Sequence, residues 1–320
     1  MGEFTPVCFI GDSITAAEKY TRILVDYFVL HCPKKKFLFH TVAIPGIGSD
    51  TILPLWDTLI TPRKPAFATV MFGMNDLHRS LYADSAKITE SLLARREHAL
   101  ENYKRHMKSL VSKLDKTPTL VMTPTLHDES PAIKAPRYGG YDAMLMRAGQ
   151  TLTEIVSSVL DVHTPLSKAN QKRLVQTVIG PDRVHPGNIG HAIIAYTILE
   201  HLGFQKPRLP LWDDSYTVEE KAILEKLGIF EDVAPKNPYS DLRCATQRRL
   251  SNLYYVEFNA LAAAGIEKSD TKAVKEFLSK QQKMPIEQWR VDAYTDYIEN
   301  GHRLSEIEKE AVEAMKNMYL

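Results

Sequence analysis

Short apolar runs that alternate with longer amphipathic segments constrain the fold of this chain more than any other feature of its sequence. Up to about residue 207 the runs fall at residues 7–10, 37–43, 67–72 and 119–122, with a fifth candidate at 156–162. They are rich in β-branched and aromatic residues, as is typical of strands buried on both faces. Strands that alternate with helices predict right-handed crossovers and a parallel sheet with helices on both sides. We therefore expect an α/β fold.

The sequence changes character at about residue 208, where prolines become frequent and strand-like runs stop. Thr217 and Glu220 have the spacing of a capping box at a helix start, and another helix is predicted from about residue 241 to 264. We expect two domains, an α/β domain at residues 1–207 and an all-helical extension at residues 208–320. Three roles stay open for the extension: a lid, packing against the domain, or the interface of a homo-oligomer.

The charge balance and the cysteines narrow the range of functions. The 320 residues contain 40 Lys and Arg against 39 Asp and Glu, so the net charge of +1 gives no general attraction to nucleic acid or anionic lipid. The three cysteines are widely spaced, which argues against a disulfide framework or a cysteine-rich zinc site. No apolar stretch approaches the ~20 residues that span a bilayer, and no secretory pattern opens the chain. We expect a cytoplasmic protein that acts without a metal, a nucleic-acid partner or stable membrane insertion.

Four short polar segments stand where strands are predicted to end or a helix to begin. Gly-Asp-Ser-Ile (residues 11–14), Pro-Gly-Ile-Gly-Ser-Asp (45–50) and Gly-Met-Asn-Asp (73–76) follow the first three strands. Asp-Arg-Val-His-Pro (182–186) precedes the helical stretch at residues 190–202. Ligands bind at the carboxyl ends of the strands in open α/β sheets, so these distant segments are predicted to meet at one rim.

The residue types in these segments suit acyl transfer. Ser13 is expected in the first turn of a helix, where backbone N–H groups and the helix dipole stabilise an oxyanion but do not remove the hydroxyl proton. His185 can act as the base, and Asp182 can fix its tautomer and balance its positive charge. Gly46 lets a backbone N–H approach a substrate closely, and Asn75 offers a side-chain N–H to the same oxygen. Only acyl transfer uses a nucleophile, a base, an orienting carboxylate and these oxyanion donors together.

In this order and strand context, the four segments resemble the sequence blocks of the SGNH hydrolases, also called GDSL esterases and lipases. The family's nucleophile, oxyanion-hole and Asp-x-x-His residues each have a counterpart here: Ser13, Gly46, Asn75, Asp182 and His185. The resemblance covers about residues 5–203 and implies a three-layer α/β/α, flavodoxin-like fold with a five-stranded parallel sheet. It also implies that Ser13, Gly46 and Asn75 form the oxyanion hole, and that carboxylic esters are hydrolysed through an acyl-enzyme without a cofactor.

The chain departs from the family's pattern in three respects. Its first block reads Gly-Asp-Ser-Ile rather than Gly-Asp-Ser-Leu, a change that is neutral for the mechanism. Ile44 stands where family members often have an asparagine two residues before the glycine, so the hydrogen bonding of that loop is expected to differ. The helical extension has no counterpart in the family's minimal domain.

A second group of residues is predicted near the cleft with two interpretations each. His127 and Asp128 follow the fourth predicted strand, and they either line the substrate cleft or belong to a plain loop. Tyr138 and Tyr141 flank two glycines, in what is either an aromatic flap over the substrate or a linker to the next helix. Arg183 lies beside the histidine and aspartate and is predicted to be a surface guanidinium.

The expected partner is a small-molecule ester. The absence of an apolar span and the ordinary charge favour short-acyl (acetyl) esters of carbohydrates or other small alcohols. The alternatives are a lipolytic hydrolase of the lysophospholipase or thioesterase type, and an acyltransferase that uses an acceptor other than water. A non-catalytic binding module is less favoured, because such a module need not keep the base and its orienting carboxylate together.

Overall fold

A computed structural model describes residues 4–32, 34–83, 87–131, 134–172, 178–211 and 216–231, with a few single residues beyond them: Gly265, Lys272, Ala273, Glu276 and Glu313. The chain forms two compact units, Met1–Asn237 and Pro238–Leu320. Nearly all of the described residues belong to the first unit. The helix predicted from about residue 241 to 264 lies outside the described residues.

The first unit is built on a parallel sheet with the strand order β2-β1-β3-β4-β5. Its five strands are β1 (Thr5–Gly11), β2 (Phe37–Ala43), β3 (Phe67–Met71), β4 (Thr119–Met122) and β5 (Val159–Leu160). Each strand overlaps one of the five apolar runs, although β5 keeps only the middle of its predicted range. The α/β fold class and the five parallel strands predicted from the sequence are thus confirmed.

Helices connect the strands and cover the sheet. They are α1 (Ser13–Ala16), α2 (Lys19–His31), α3 (Ser49–Ile52), α4 (Trp56–Leu59), α5 (Glu90–Ser112), α6 (Tyr141–Leu152), α7 (His163–Gln171) and α8 (Asn188–His201). Two groups pack together, α2 and α7 with α8, and α3 and α6 with α5. No described helix combines the length and the apolarity needed to cross a bilayer.

The strand order brings the candidate segments together. Because β1 lies between β2 and β3, the loops that leave the carboxyl ends of these three strands are neighbours at one edge of the sheet. The register aligns Gly11 with Ala43 of β2 and with Met71 of β3, so the three strands end at the same level. The residues that follow them start from one rim, as the sequence predicted.

The stretch after residue 207 packs against the sheet domain as far as it is described. It contains β6 (Leu209–Pro210), α9 (Val218–Lys226) and β7 (Phe230–Glu231), with β6 and β7 paired in parallel. Helix α9 begins with the capping box that the sequence predicts, in which the Thr217 and Glu220 side chains bond each other's backbone N–H groups. Strand β6 contacts α2, and α9 contacts α8. The short strand pair was not predicted, and the domain boundary between residues 207 and 208 stays a prediction.

Candidate active site

The turn between β1 and α1 presents the candidate nucleophile. Asp12 has an extended backbone and caps α1, because its side chain accepts a 3.0 Å hydrogen bond from the Ile14 N–H. Ser13 is therefore the first helical residue. A Cβ atom on Gly11 would lie 2.9 Å from the Met71 carbonyl oxygen of β3, so only glycine permits this close strand-to-helix turn.

His185 and Asp182 approach Ser13 from the turn that precedes α8. The Ser13 Oγ and His185 Nε2 atoms are 2.8 Å apart, and His185 Nδ1 bonds Asp182 Oδ2. A carboxylate only accepts hydrogen bonds, so Nδ1 carries the imidazole proton and Nε2 is left to accept from the serine hydroxyl. The structure thus brings the three residues into one hydrogen-bonded line across 172 positions of sequence.

The Asp182 carboxylate is held as an anion. Its Oδ1 accepts the backbone N–H groups of Val184 and His185, each at 3.0 Å. Partial burial raises the pKa of Asp182, but the hydrogen bonds from the His185 ring and from these two N–H groups outweigh it and hold the pKa below its usual range. The side chains of Asp182 and His185 are 49% and 47% exposed, so the pair faces solvent and can meet a substrate.

The loops after β2 and β3 supply the candidate oxyanion donors. Gly46 is exposed and has a φ of 80°, which favours glycine. The Asn75 amide donates to the Ile47 carbonyl at 2.8 Å, and this bond fixes the amide beside the loop that carries Gly46. Ile44, where family members often have an asparagine, is buried, and its backbone N–H bonds the Gly11 carbonyl at 3.3 Å.

A buried carboxyl group joins the same two loops. Asp76 Oδ1 accepts the Ser49 N–H at 2.7 Å and also the Ser49 hydroxyl. Burial raises the pKa of Asp76 even though the two bonds from Ser49 lower it. Burial likewise raises the pKa of Asp12 to about 7. Asp12 and Asp76 therefore act as braces for the loops that carry Ser13, Gly46 and Asn75.

His127 and the two tyrosines lie together after β4. The His127 ring is buried, with its centroid 5.8 Å from that of Tyr138 and 5.4 Å from that of Tyr141. Neither ring nitrogen of His127 has a hydrogen-bond partner among the described residues, and burial lowers its pKa. The Tyr141 hydroxyl donates to the Met74 carbonyl, so this tyrosine supports the residue before Asn75. Tyr138 is half-buried, with the Arg79 guanidinium 5.4 Å from its ring centroid.

Asp128 and Arg183 are both buried. The Asp128 carboxylate accepts the Ser130 N–H at 2.8 Å and is buried, so it braces its own turn. The prediction that Arg183 is a surface guanidinium is wrong, because this side chain is only 2% exposed. Its partners are backbone carbonyls 48 to 55 positions away, and no local pattern in the sequence signals such contacts.

A serine, a histidine and an aspartate in one hydrogen-bonded line, at the rim of a parallel α/β sheet, define a serine hydrolase. A family model agrees, since the GDSL-like lipase/acylhydrolase family matches residues 9–193. The chain belongs to this family, which confirms the resemblance seen in the sequence, and it is an ester-hydrolysing enzyme.

The chain is also similar to individual known proteins. An acetylxylan esterase from Geobacillus stearothermophilus is 26% identical over 223 residues, which cover 64% of this chain and 97% of the esterase. A solved structure of an acetylxylan esterase from the same organism has a TM-score of 0.51 at 21% identity, covering 64% of this chain and 96% of that one. A gut microbial diltiazem-metabolizing enzyme has a TM-score of 0.77 at 17% identity and covers 100% of this chain and 95% of that one.

Proposed function

We propose that this enzyme removes short acyl groups, acetyl above all, from the hydroxyls of carbohydrates or other small alcohols, with Ser13 as the nucleophile. The observation that carries the proposal is the 2.8 Å hydrogen bond between Ser13 and His185, continued from His185 to Asp182. The similarity to an acetylxylan esterase over 97% of that enzyme's length supports the acetyl preference.

Solved structures of a relative support the choice of residues. Structures of the Geobacillus esterase include variants described as catalytic mutants, in which a serine, an aspartate or a histidine is replaced by alanine. In that esterase the aspartate precedes the histidine by three positions. Asp182 and His185 have the same spacing, and Ser13 supplies the third residue type.

The hydrogen-bonded line of Ser13, His185 and Asp182 supports the following acylation step. As the Ser13 Oγ attacks the ester carbonyl carbon, its proton passes to His185 Nε2. The Asp182 carboxylate accepts the Nδ1–H bond and stabilises the imidazolium that forms. The backbone N–H groups of Ser13 and Gly46, with the Asn75 amide, hold the negative charge on the former carbonyl oxygen.

Acylation ends when the alcohol leaves, and deacylation then uses the same groups with water as the nucleophile. His185 returns its proton to the departing alcohol, and the neutral imidazole then takes a proton from a water molecule. That water attacks the acyl-enzyme at its carbonyl carbon, and the same oxyanion donors stabilise the second intermediate. The bond between the Ser13 Oγ and the acyl carbon then breaks, His185 gives its proton to the Ser13 Oγ, and the acid leaves. The exposed position of His185 gives water access to this step.

A substrate panel with two proteins tests the proposal. Wild type is expected to hydrolyse p-nitrophenyl acetate faster than longer acyl esters, to deacetylate acetylated xylo-oligosaccharides and to release acetate from suitable small-molecule esters. Diltiazem belongs in the panel, because the structural neighbour that covers the whole chain is described as metabolizing it. Ser13→Ala is expected to lower kcat by about 10⁶-fold, since the nucleophile is lost, while the melting temperature is kept.

The outcomes separate the parts of the proposal. A folded Ser13→Ala variant with wild-type turnover would show that Ser13 is not the nucleophile. A preference for long acyl chains would exclude the acetyl-ester assignment and favour the lipolytic alternative. Transfer of the acyl group to an added alcohol in preference to water would identify an acyltransferase.

A further inference from the structure

The turn that carries Asp182 and His185 is exposed, yet one residue within it is buried. Arg183 is 2% exposed, whereas the side chains of Asp182 and His185 are each about half exposed. Its backbone has a φ of 70°, in the left-handed region that a long side chain rarely adopts. A backbone strained in this way persists only where surrounding contacts enforce it. Surrounding contacts must therefore hold the Arg183 backbone and bury its side chain.

The Arg183 guanidinium makes contacts of this kind. Its Nη1 donates to the carbonyl oxygens of Asp128 and Ser130, both at 2.7 Å, and its Nε donates to that of Ala135 at 2.9 Å. The main chain adds a fourth link, because the Asp128 N–H donates to the Arg183 carbonyl at 2.9 Å. A planar guanidinium with several fixed donors is suited to hold several acceptors at once, which a lysine ammonium on a flexible stem does less well.

These links join two parts of the site. One is the turn at residues 182–185, which holds the base. The other consists of residues 128–130 and Ala135, which lie between His127 and Tyr138 in the sequence. A base on a short exposed turn needs such support, because a displacement of about 1 Å between reacting groups can cost about 100-fold in rate.

We propose that Arg183 is a positioning residue for acyl transfer. By tying Asp128, Ser130 and Ala135 to the turn of the base, it fixes the distance between His185 and Ser13 without touching the substrate. This inference rests on the proposed ester hydrolysis, and it goes further by assigning a function to a residue outside the Ser13–His185–Asp182 line.

The test compares two variants of Arg183. Arg183→Ala is expected to lower kcat for p-nitrophenyl acetate by about 100-fold with little change in KM, because the base is displaced while the rest of the pocket stays in place. Arg183→Lys is expected to fall between this variant and wild type. Millimolar guanidinium chloride is expected to restore part of the kcat of Arg183→Ala, because the free ion fits the space left by the side chain, and methylammonium chloride is expected to restore less.

Arg208→Ala is the matched control. The Arg208 guanidinium also holds a backbone carbonyl, that of Phe230, with bonds of 2.9 and 2.7 Å, but it lies at the β6–β7 pair. This variant is expected to keep the kcat of wild type. Melting temperatures of all variants show whether each one folds, and if Arg183→Ala does not fold, Arg183→Lys carries the comparison with the control.

The result that would overturn the proposal is a folded Arg183 variant with the kcat of wild type, or a loss that appears only in KM. An equal loss in Arg208→Ala would overturn it as well, because the effect would then be general. Measuring the rate at which a fluorophosphonate labels Ser13 distinguishes failure of the positioning role from failure of the proposed ester hydrolysis. Labelling needs the nucleophile and its base but no ester substrate, so slower labelling of the Arg183 variants supports the positioning role even if the ester panel fails.

Discussion

Two kinds of aspartate surround the same serine, and they differ in exposure and in charge. Asp182 faces solvent, is 49% exposed and has a lowered pKa, so it is an anion over the physiological range. Asp12 is 2% exposed, and its pKa is raised to about 7. The group that must balance a developing positive charge is thus kept ionised near water, while the group that shapes the turn is buried and ionises only near pH 7.

Burial and the number of hydrogen-bond donors explain the difference in pKa. Three donors hold the Asp182 carboxylate: the His185 ring and the backbone N–H groups of Val184 and His185. Asp12 accepts from the Ile14 N–H at the start of α1, and this bond lowers its pKa by less than burial raises it. A neutral residue should therefore affect catalysis at position 182 and stability at position 12.

The largest effect in this comparison is expected from Asp182→Asn. The asparagine oxygen can still accept the two backbone N–H groups, which leaves its amide nitrogen facing His185 Nδ1 and favours the wrong imidazole tautomer. We expect kcat to fall by about 10⁴-fold with an unchanged melting temperature. Steady-state kinetics on p-nitrophenyl acetate measure the loss, and Asp12→Asn, which should retain activity within a few-fold, is the paired control. Equal losses in the two variants would contradict the distinction between the aspartates.

A smaller effect is expected from Asn75→Ala, which leaves the Ser13–His185–Asp182 line intact. Loss of one oxyanion donor should lower kcat by about 10²–10³-fold, equivalent to about 3–4 kcal/mol of transition-state stabilisation. The variant also loses the bond from Asn75 to the Ile47 carbonyl, so its melting temperature should be measured beside its kinetics. A change confined to KM would show that the amide contacts the bound ester equally in the ground state and is not an oxyanion donor.

Local sequence patterns predict some parts of this molecule and not others. The five strands could be predicted because short apolar runs of β-branched and aromatic residues are typical of buried strands. The meeting of Ser13, His185 and Asp182 could be predicted because strand ends in a parallel sheet share one edge. Arg183 could not, because its burial depends on the path of a loop about fifty residues away in sequence. Within the part of the chain that the structure describes, the His127 ring nitrogens have no hydrogen-bond partner. This depends on how the Tyr138 and Tyr141 rings pack against His127, which single-sequence patterns do not specify.

The last comparison of the two aspartates concerns how Asp12 makes the unfolding free energy depend on pH. The group titrates at 3.8 when unfolded and at about 7 when folded, so between these values the folded chain holds a proton that the unfolded chain has released. By linkage, this carboxyl makes the folded state less stable as pH rises from about 4 to about 7, with a total of up to about 4 kcal/mol.

Asparagine can still cap α1 through its side-chain oxygen but does not titrate. We therefore expect the unfolding free energy of wild type, minus that of Asp12→Asn, to decrease across this range when measured by chemical denaturation. Other carboxyl groups cancel in the difference, so a difference that stays constant from pH 4 to pH 7 would show that Asp12 is ionised in the folded state throughout, like Asp182.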